Sequence, residues 1–163
     1  MKLDPERMGM LADVGLFGGL SREALARFLV DLTVLDVETN ALVFKEGDAG
    51  REMFIVLEGE MEVTKLSRRR GEACVAVLGP GEWFGEMSIV DVMPRSATVR
   101  AISPGRVLRV AAADLDALYR IDVKSYTLVM MNIAREMSRR LRVADGMLAE
   151  LVAQVTSEVP PGA

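Results

Sequence analysis

The chain has 163 residues, half of them hydrophobic, which suffices for one compact domain with one long appended element but not for two full domains. A formal net charge of -4 argues against generic nucleic-acid binding, which draws on clustered lysine and arginine, and the lack of histidine removes imidazole-based catalysis and haem ligation. The single cysteine, Cys74, can form neither an internal disulfide nor a cysteine-ligated cluster, and within the run ACVAVL it reads as a small apolar filler. No N-terminal stretch resembles a signal peptide or a membrane span, so a soluble, cytoplasmic chain without a membrane partner is expected.

In chain order, Asp4 to Val14 opens with Asp-Pro, a helix start, and continues with Met8, Leu11 and Ala12 at helical spacing. Phe17 to Leu20 reads as a glycine-bearing turn. Ser21 is a good N-cap for a second helix running through Ala24, Leu25, Phe28 and Leu29 toward Leu32. From Val34 the period changes to that of strands. Val34 to Val37, Ala41 to Phe44, Met53 to Leu57, Met61 to Leu66 and Ala73 to Leu78 are short apolar runs, separated by turn signals such as Thr39-Asn40, Glu46-Gly47-Asp48 and Glu58-Gly59. Thr98 to Ile102 and Arg106 to Val110 add two more around Ser103-Pro104-Gly105. About eight short strands predict a β jelly roll, and with the helices an α+β chain. Arg68 to Arg70, the densest basic run, falls on a hairpin turn and reads as a solvated loop tip.

Ala111 to Tyr119 reads as a short helix and Val123 to about Gln154 as a long one. Its apolar stripe runs through Tyr126, Met130, Ile133, Met137, Leu141, Ala144, Leu148, Leu151 and Val155 at steps of three and four, a coiled-coil pattern with a stutter. A stripe that long exceeds what one small domain covers, which predicts a homodimer.

The chemistry concentrates between the last strands, in Trp83 to Val99, WFGEMSIVDVMPRSATV. Gly85 lets backbone N–H groups approach a ligand, Arg95 offers phosphate a planar fork of donors, and Glu86 accepts hydrogen bonds from sugar hydroxyls. An ordinary turn with a surface Glu–Arg ion pair is the bland alternative.

FGEMS followed five residues later by PRSATV resembles the phosphate-binding cassette of the cyclic-nucleotide-binding domain, the family of catabolite-activator proteins and of cyclic-nucleotide-dependent kinase regulatory subunits. MSRRLRVADGMLAEL resembles the dimerisation helix of its bacterial members, so the likeness runs from about Leu11 to Leu151. It implies a non-catalytic regulatory protein that binds cAMP or cGMP and needs no metal or other cofactor. By that resemblance Arg95 meets the cyclic phosphate, Glu86 the ribose hydroxyl, and Phe84, Gly85, Met87, Ser88, Ser96 and Ala97 complete the cradle. Val63, Val75 and Met87 occupy positions that line the nucleotide, and serve equally as plain core. Alignment on RRL brings Arg140 toward the ligand and puts Ala144 and Asp145 where the base is read.

The expected organisation is residues 1–122 as helices plus jelly roll, 123–155 as dimerisation helix and 156–163 as a flexible tail. Only VTSEVPPGA follows where relatives carry a helix-turn-helix domain, so DNA is not an expected partner and the output is expected in an unknown downstream protein, through a hinge between barrel and helix. Two rivals stand beside this reading. One is a ligand-free jelly-roll scaffold or partner-binding module, and the other a phosphodiesterase, which would need a metal cluster or base that the sequence does not offer.

Overall fold

Strand β3 (Glu52–Glu58) is the element through which the fold holds together, because its apolar run Met53 to Leu57 is buried on both faces. Met53, Ile55 and Leu57 face a core shared with the helices, while Phe54 and Val56 face the interior between two sheets. A computed structural model describes residues 5–67 and 71–157, so the expected loop tip at Arg68–Arg70 and the expected tail beyond Ser157 lie outside the described residues.

The eight described strands form two four-stranded antiparallel sheets. One is ordered β1 (Thr33–Val37), β8 (Gly105–Ala111), β3, β6 (Trp83–Phe84); the other is β2 (Leu42–Phe44), β7 (Thr98–Ala101), β4 (Met61–Ser67), β5 (Gly71–Leu78). Packed face to face they make the jelly-roll-like sandwich, with Phe54, Val56, Met61, Leu78, Phe84, Val99, Ala101 and Val107 between them. The outer face of the first sheet carries helices α1 (Pro5–Asp13), α2 (Arg22–Leu29), α4 (Ala112–Ile121) and the start of α5 (Val123–Ser157). Ser21 caps α2 as expected, its hydroxyl accepting from the Ala24 N–H at 3.1 Å. A 3-10 turn at Gly15–Phe17 and the one-turn helix α3 (Met87–Val90) are elements that periodicity does not announce, both being shorter than one reliable period.

Two expectations change. Cys74 is not a core filler: among the described strands β5 is an edge strand paired with β4 alone, and the cysteine is exposed. The stripe on α5 is not one continuous dimer seam either. Val129 and Ile133 are buried in the helical core with Tyr126, Met130 and Met137 packed against it, and Asn132 donates from its amide to the carbonyls of Leu16 and Gly18 at 3.1 and 2.9 Å. From Leu141 to Thr156 every side chain is exposed.

Candidate functional site

Arg95 is the centre of the site, and it is 4% exposed. Burying a guanidinium requires acceptors, and three converge on Nη1: the carbonyl oxygens of Glu52 at 2.6 Å and Gly85 at 3.1 Å, and the Ser88 hydroxyl at 2.7 Å. Nη2 meets the Glu52 carboxylate at 3.3 Å, and the guanidinium carbon lies 4.1 Å from the centre of the Phe44 ring, a cation–π contact. Burial lowers the guanidinium pKa, opposed by Glu52 and Asp48, and an arginine remains charged under these conditions. Its Nε is buried and has no acceptor. One side of the fork is therefore anchored, and the Nε–Nη2 edge retains donor capacity.

Glycine is required twice around this arginine. Gly85 has φ near 83°, and a Cβ there would stand 2.9 Å from Arg95 Nη1 and 3.0 Å from the Glu52 carbonyl oxygen. A Cβ on Gly50 would stand 2.5 Å from Arg95 Nε. The two glycines open the space into which the guanidinium is threaded.

Glu86 follows Gly85 at the start of α3 and is 3% exposed. Arg140 of α5 donates to its Oε1 from Nη1 at 3.1 Å, to the Trp83 carbonyl from Nη2 at 2.7 Å, and to Glu136 from Nε at 3.1 Å. Burial raises the Glu86 carboxyl above its ordinary range, opposed by the charge of Arg140. The pair spans the barrel and the long helix across 54 residues of sequence. An ionised carboxylate has several acceptor positions, so the Arg140 bond leaves capacity for a hydroxyl donor.

The remaining expected site residues fall into four groups. Ser88 is buried and belongs to the Arg95 cluster, while Met87 is exposed and the Ser96 hydroxyl lies 3.4 Å from its sulfur. Phe84 and Ala97 are buried: Phe84 stacks on Phe54 at 5.4 Å within the sandwich and abuts Phe44, so its side chain supports the arginine's aromatic platform. Val63 is half-buried against the sandwich core, and Val75 is exposed at a bulge, between the pairs Val63–Ala76 and Thr64–Cys74. Asp145 lies on the exposed part of α5, with no hydrogen bond or ion pair joining it to the cassette among the described residues. Sequence reasoning missed Glu52, Gly50 and Phe44. Glu52 stands 43 residues from Arg95 and had only its charge as a signal.

The model of the cyclic nucleotide-binding domain matches residues 34–122. The chain belongs to that family. Along 143 residues it is 29% identical to a CRP-like cAMP-activated global transcriptional regulator of Mycobacterium tuberculosis, covering 88% of this chain and 62% of the relative. A cyclic nucleotide-binding domain from Methylobacillus flagellatus superposes with TM-score 0.82 at 25% identity, covering 89% of this chain and 84% of the other. The Thermus thermophilus catabolite activator protein does so with TM-score 0.76 at 33% identity, covering 85% and 63%. The chain thus spans less than two thirds of these two regulators. Domains of this family are typically regulatory and non-catalytic. No described helix is long and apolar enough to cross a membrane, and the described residues hold no cluster of metal-ligating side chains.

Proposed function

We propose that this chain is a non-catalytic receptor for a cyclic nucleotide of the cAMP type, and that the ligand acts on the contact between cassette and α5. The observation that carries the reading is the buried Nε of Arg95, a charged donor without an acceptor, on an arginine whose Nη1 is fully engaged and whose Nη2 meets only the Glu52 carboxylate. A cyclic phosphate is planar enough at two oxygens to accept from the Nε–Nη2 edge, as a guanidinium fork favours. Glu86 suits the ribose hydroxyl, and Arg140 beside it makes the long helix part of the same site. A nucleotide contacting both carries a differential affinity for the arrangement in which α5 is docked, which is what a hinge needs in order to respond.

Calorimetry with cAMP tests the reading. Arg95→Ala should lose about 2–5 kcal/mol of binding, and Arg95→Lys should recover only part, since an ammonium cannot present the fork. Because Nη1 also satisfies two carbonyls, the alanine variant will melt earlier, so affinity is measured well below its transition. Undiminished affinity in the folded variant would overturn the assignment. Ligand at a hundred times its dissociation constant should also stabilise the wild type by about 2.7 kcal/mol, which a ligand-free scaffold would not show.

Base preference belongs to the same proposal. Ala144 cannot donate or accept through its side chain, and Asp145 is the nearest carboxylate along α5, suited to the N–H groups of guanine. Weak discrimination follows, with cAMP slightly favoured. In a competition titration, a cAMP advantage of about a hundredfold would refute weak discrimination. A cGMP advantage lost in Asp145→Ala would instead identify Asp145 as the reader.

A further inference from the structure

One cavity is remote in sequence from the cassette and contains none of its side chains. It is a groove of about 290 Å³ between α2 and α4. Ala24, Arg27 and Phe28 of α2, with Asp31 just beyond its end, line one wall, and Asp114, Ala117, Leu118 and Ile121, at the spacing of a single helical face of α4, line the other. The floor is apolar, formed by Phe28, Leu32 and Leu118, all buried. At the rim stand Val30, 67% exposed, and Ile121, 73% exposed, with nothing covering either.

The charge of the rim selects the occupant. Asp31, Asp114 and Asp122 face Arg27, three carboxylates against one cation. Hydrogen bonds from Ser125 hold the Asp122 carboxyl below its ordinary range, so it is an anion at neutral pH. A second copy of this chain does not complement such a surface through its uncovered apolar helix. The exposed half of α5, from Leu141 to Thr156, carries Arg142 against Asp145 and Glu150 and is itself net acidic. A groove walled by two helices, apolar below and acidic above, fits the apolar edge of an amphipathic helix flanked by lysine or arginine.

We infer that the α2–α4 groove docks a basic amphipathic helix of another protein, and that this is a surface through which the chain passes its signal on. The groove's position gives the second half of this statement its mechanism. Asp122 closes the groove at one end and at the same time caps α5, accepting from the Ser125 N–H at 3.1 Å and the Ser125 hydroxyl at 2.7 Å. A cation drawn to Asp122 therefore acts on the junction where α4 hands over to α5. The docking itself does not depend on which nucleotide, or whether any, fills the cassette; its part in passing a signal on rests on the receptor function proposed above.

The test uses the full chain and two labelled synthetic peptides of about 16 residues, with the same leucine spacing, one carrying lysine and arginine at the polar positions and one carrying glutamate. Anisotropy should show binding of the basic peptide only, and hydrogen exchange should slow in α2 and α4. Ile121→Asp should weaken binding about tenfold or more by removing an apolar anchor. That variant separates docking from mere charge attraction, because an added carboxylate would strengthen nonspecific adsorption of a cationic peptide. Asp31→Asn should weaken binding less, and only at low salt. Absence of binding, protection confined to the outer half of α5, or affinity unchanged or increased by Ile121→Asp would each overturn the inference. Calorimetry with cAMP on the same samples reports the cassette separately, so failure of one reading is not mistaken for failure of the other.

Discussion

The two halves of α5 continue one apolar pattern and yet meet different surroundings. As far as Arg140 the helix is part of the domain: Ile133 is completely buried, Asn132 ties the helix to the 3-10 turn, and Arg140 reaches Glu86 in the cassette. Beyond Arg140 the same kind of residue, Leu141, Met147, Leu148, Leu151, Val152 and Val155, faces outward with nothing on it. The stripe therefore has two parts: its inner half joins the helix to the barrel, and its outer half is left uncovered by the rest of the described chain.

The strongest way to break that division is to truncate a side chain in the inner half. Ile133→Ala should lower the unfolding free energy by about 2–5 kcal/mol in denaturant titration, whereas Leu148→Ala, titrated at a concentration low enough to keep the chain monomeric, should stay within about 0.5 kcal/mol. Equal costs would mean that the outer half is as buried in solution as the inner. Asn132→Ala should follow at about 1–3 kcal/mol, since the Leu16 and Gly18 carbonyls lose their donor inside the fold.

A pH series sharpens the boundary itself. Burial raises Glu86 above its ordinary 4.5, so between the unfolded and folded values the folded chain holds a proton that the unfolded chain has released. The stability contributed is complete below the unfolded value and is lost as pH rises through the folded one. Compared with Glu86→Gln, the wild type should therefore lose unfolding free energy on going from acid to neutral pH. A difference that is flat, or that grows with pH, would show that Glu86 is not held in the buried arrangement with Arg140.

The smallest effect on stability, and the largest on assembly, is expected in the outer half. Glu at both Leu148 and Leu151 should convert a dimer to a monomer in sedimentation at micromolar concentration, while leaving the monomer's stability within about 0.5 kcal/mol. The same pair of substitutions at Ile133 and Met137 should unfold the domain rather than separate subunits, because Ile133 is enclosed by its own chain and Met137 packs against the same core. A wild type already monomeric at that concentration would remove the second copy from the account of the outer half.

The legible part of the site was the part that is contiguous. Gly85, Glu86, Ser88 and Arg95 lie within eleven residues, and their types announce a phosphate and sugar chemistry whatever surrounds them. What could not be read was the support: Glu52 and Gly50 come from the approach to β3 and the strand itself, and Phe44 from β2, each an ordinary residue until the barrel closes around the guanidinium. The strands tell the same story. MFIVL in β3 and CVAVL in β5 are alike as apolar runs, but β3 is flanked by β8 and β6 and packed on both faces, while β5 is paired on one side only and is mostly exposed. An apolar run reports the capacity to be buried; neighbours supplied by distant parts of the chain decide whether it is.

By itself the sequence determined the period of each element, the short strands of an α+β jelly roll and the residue types of the cassette, because these depend on local geometry and side-chain chemistry. Only the tertiary structure decided which donors of Arg95 are spent and which is left, that Arg140 closes on Glu86 across 54 residues, and where along α5 burial stops. Those outcomes follow from long-range packing in a crowded interior, where a carbonyl 43 residues away or a ring still farther along the chain, once brought within 3 or 4 Å, has more influence on a charge than any neighbour in sequence.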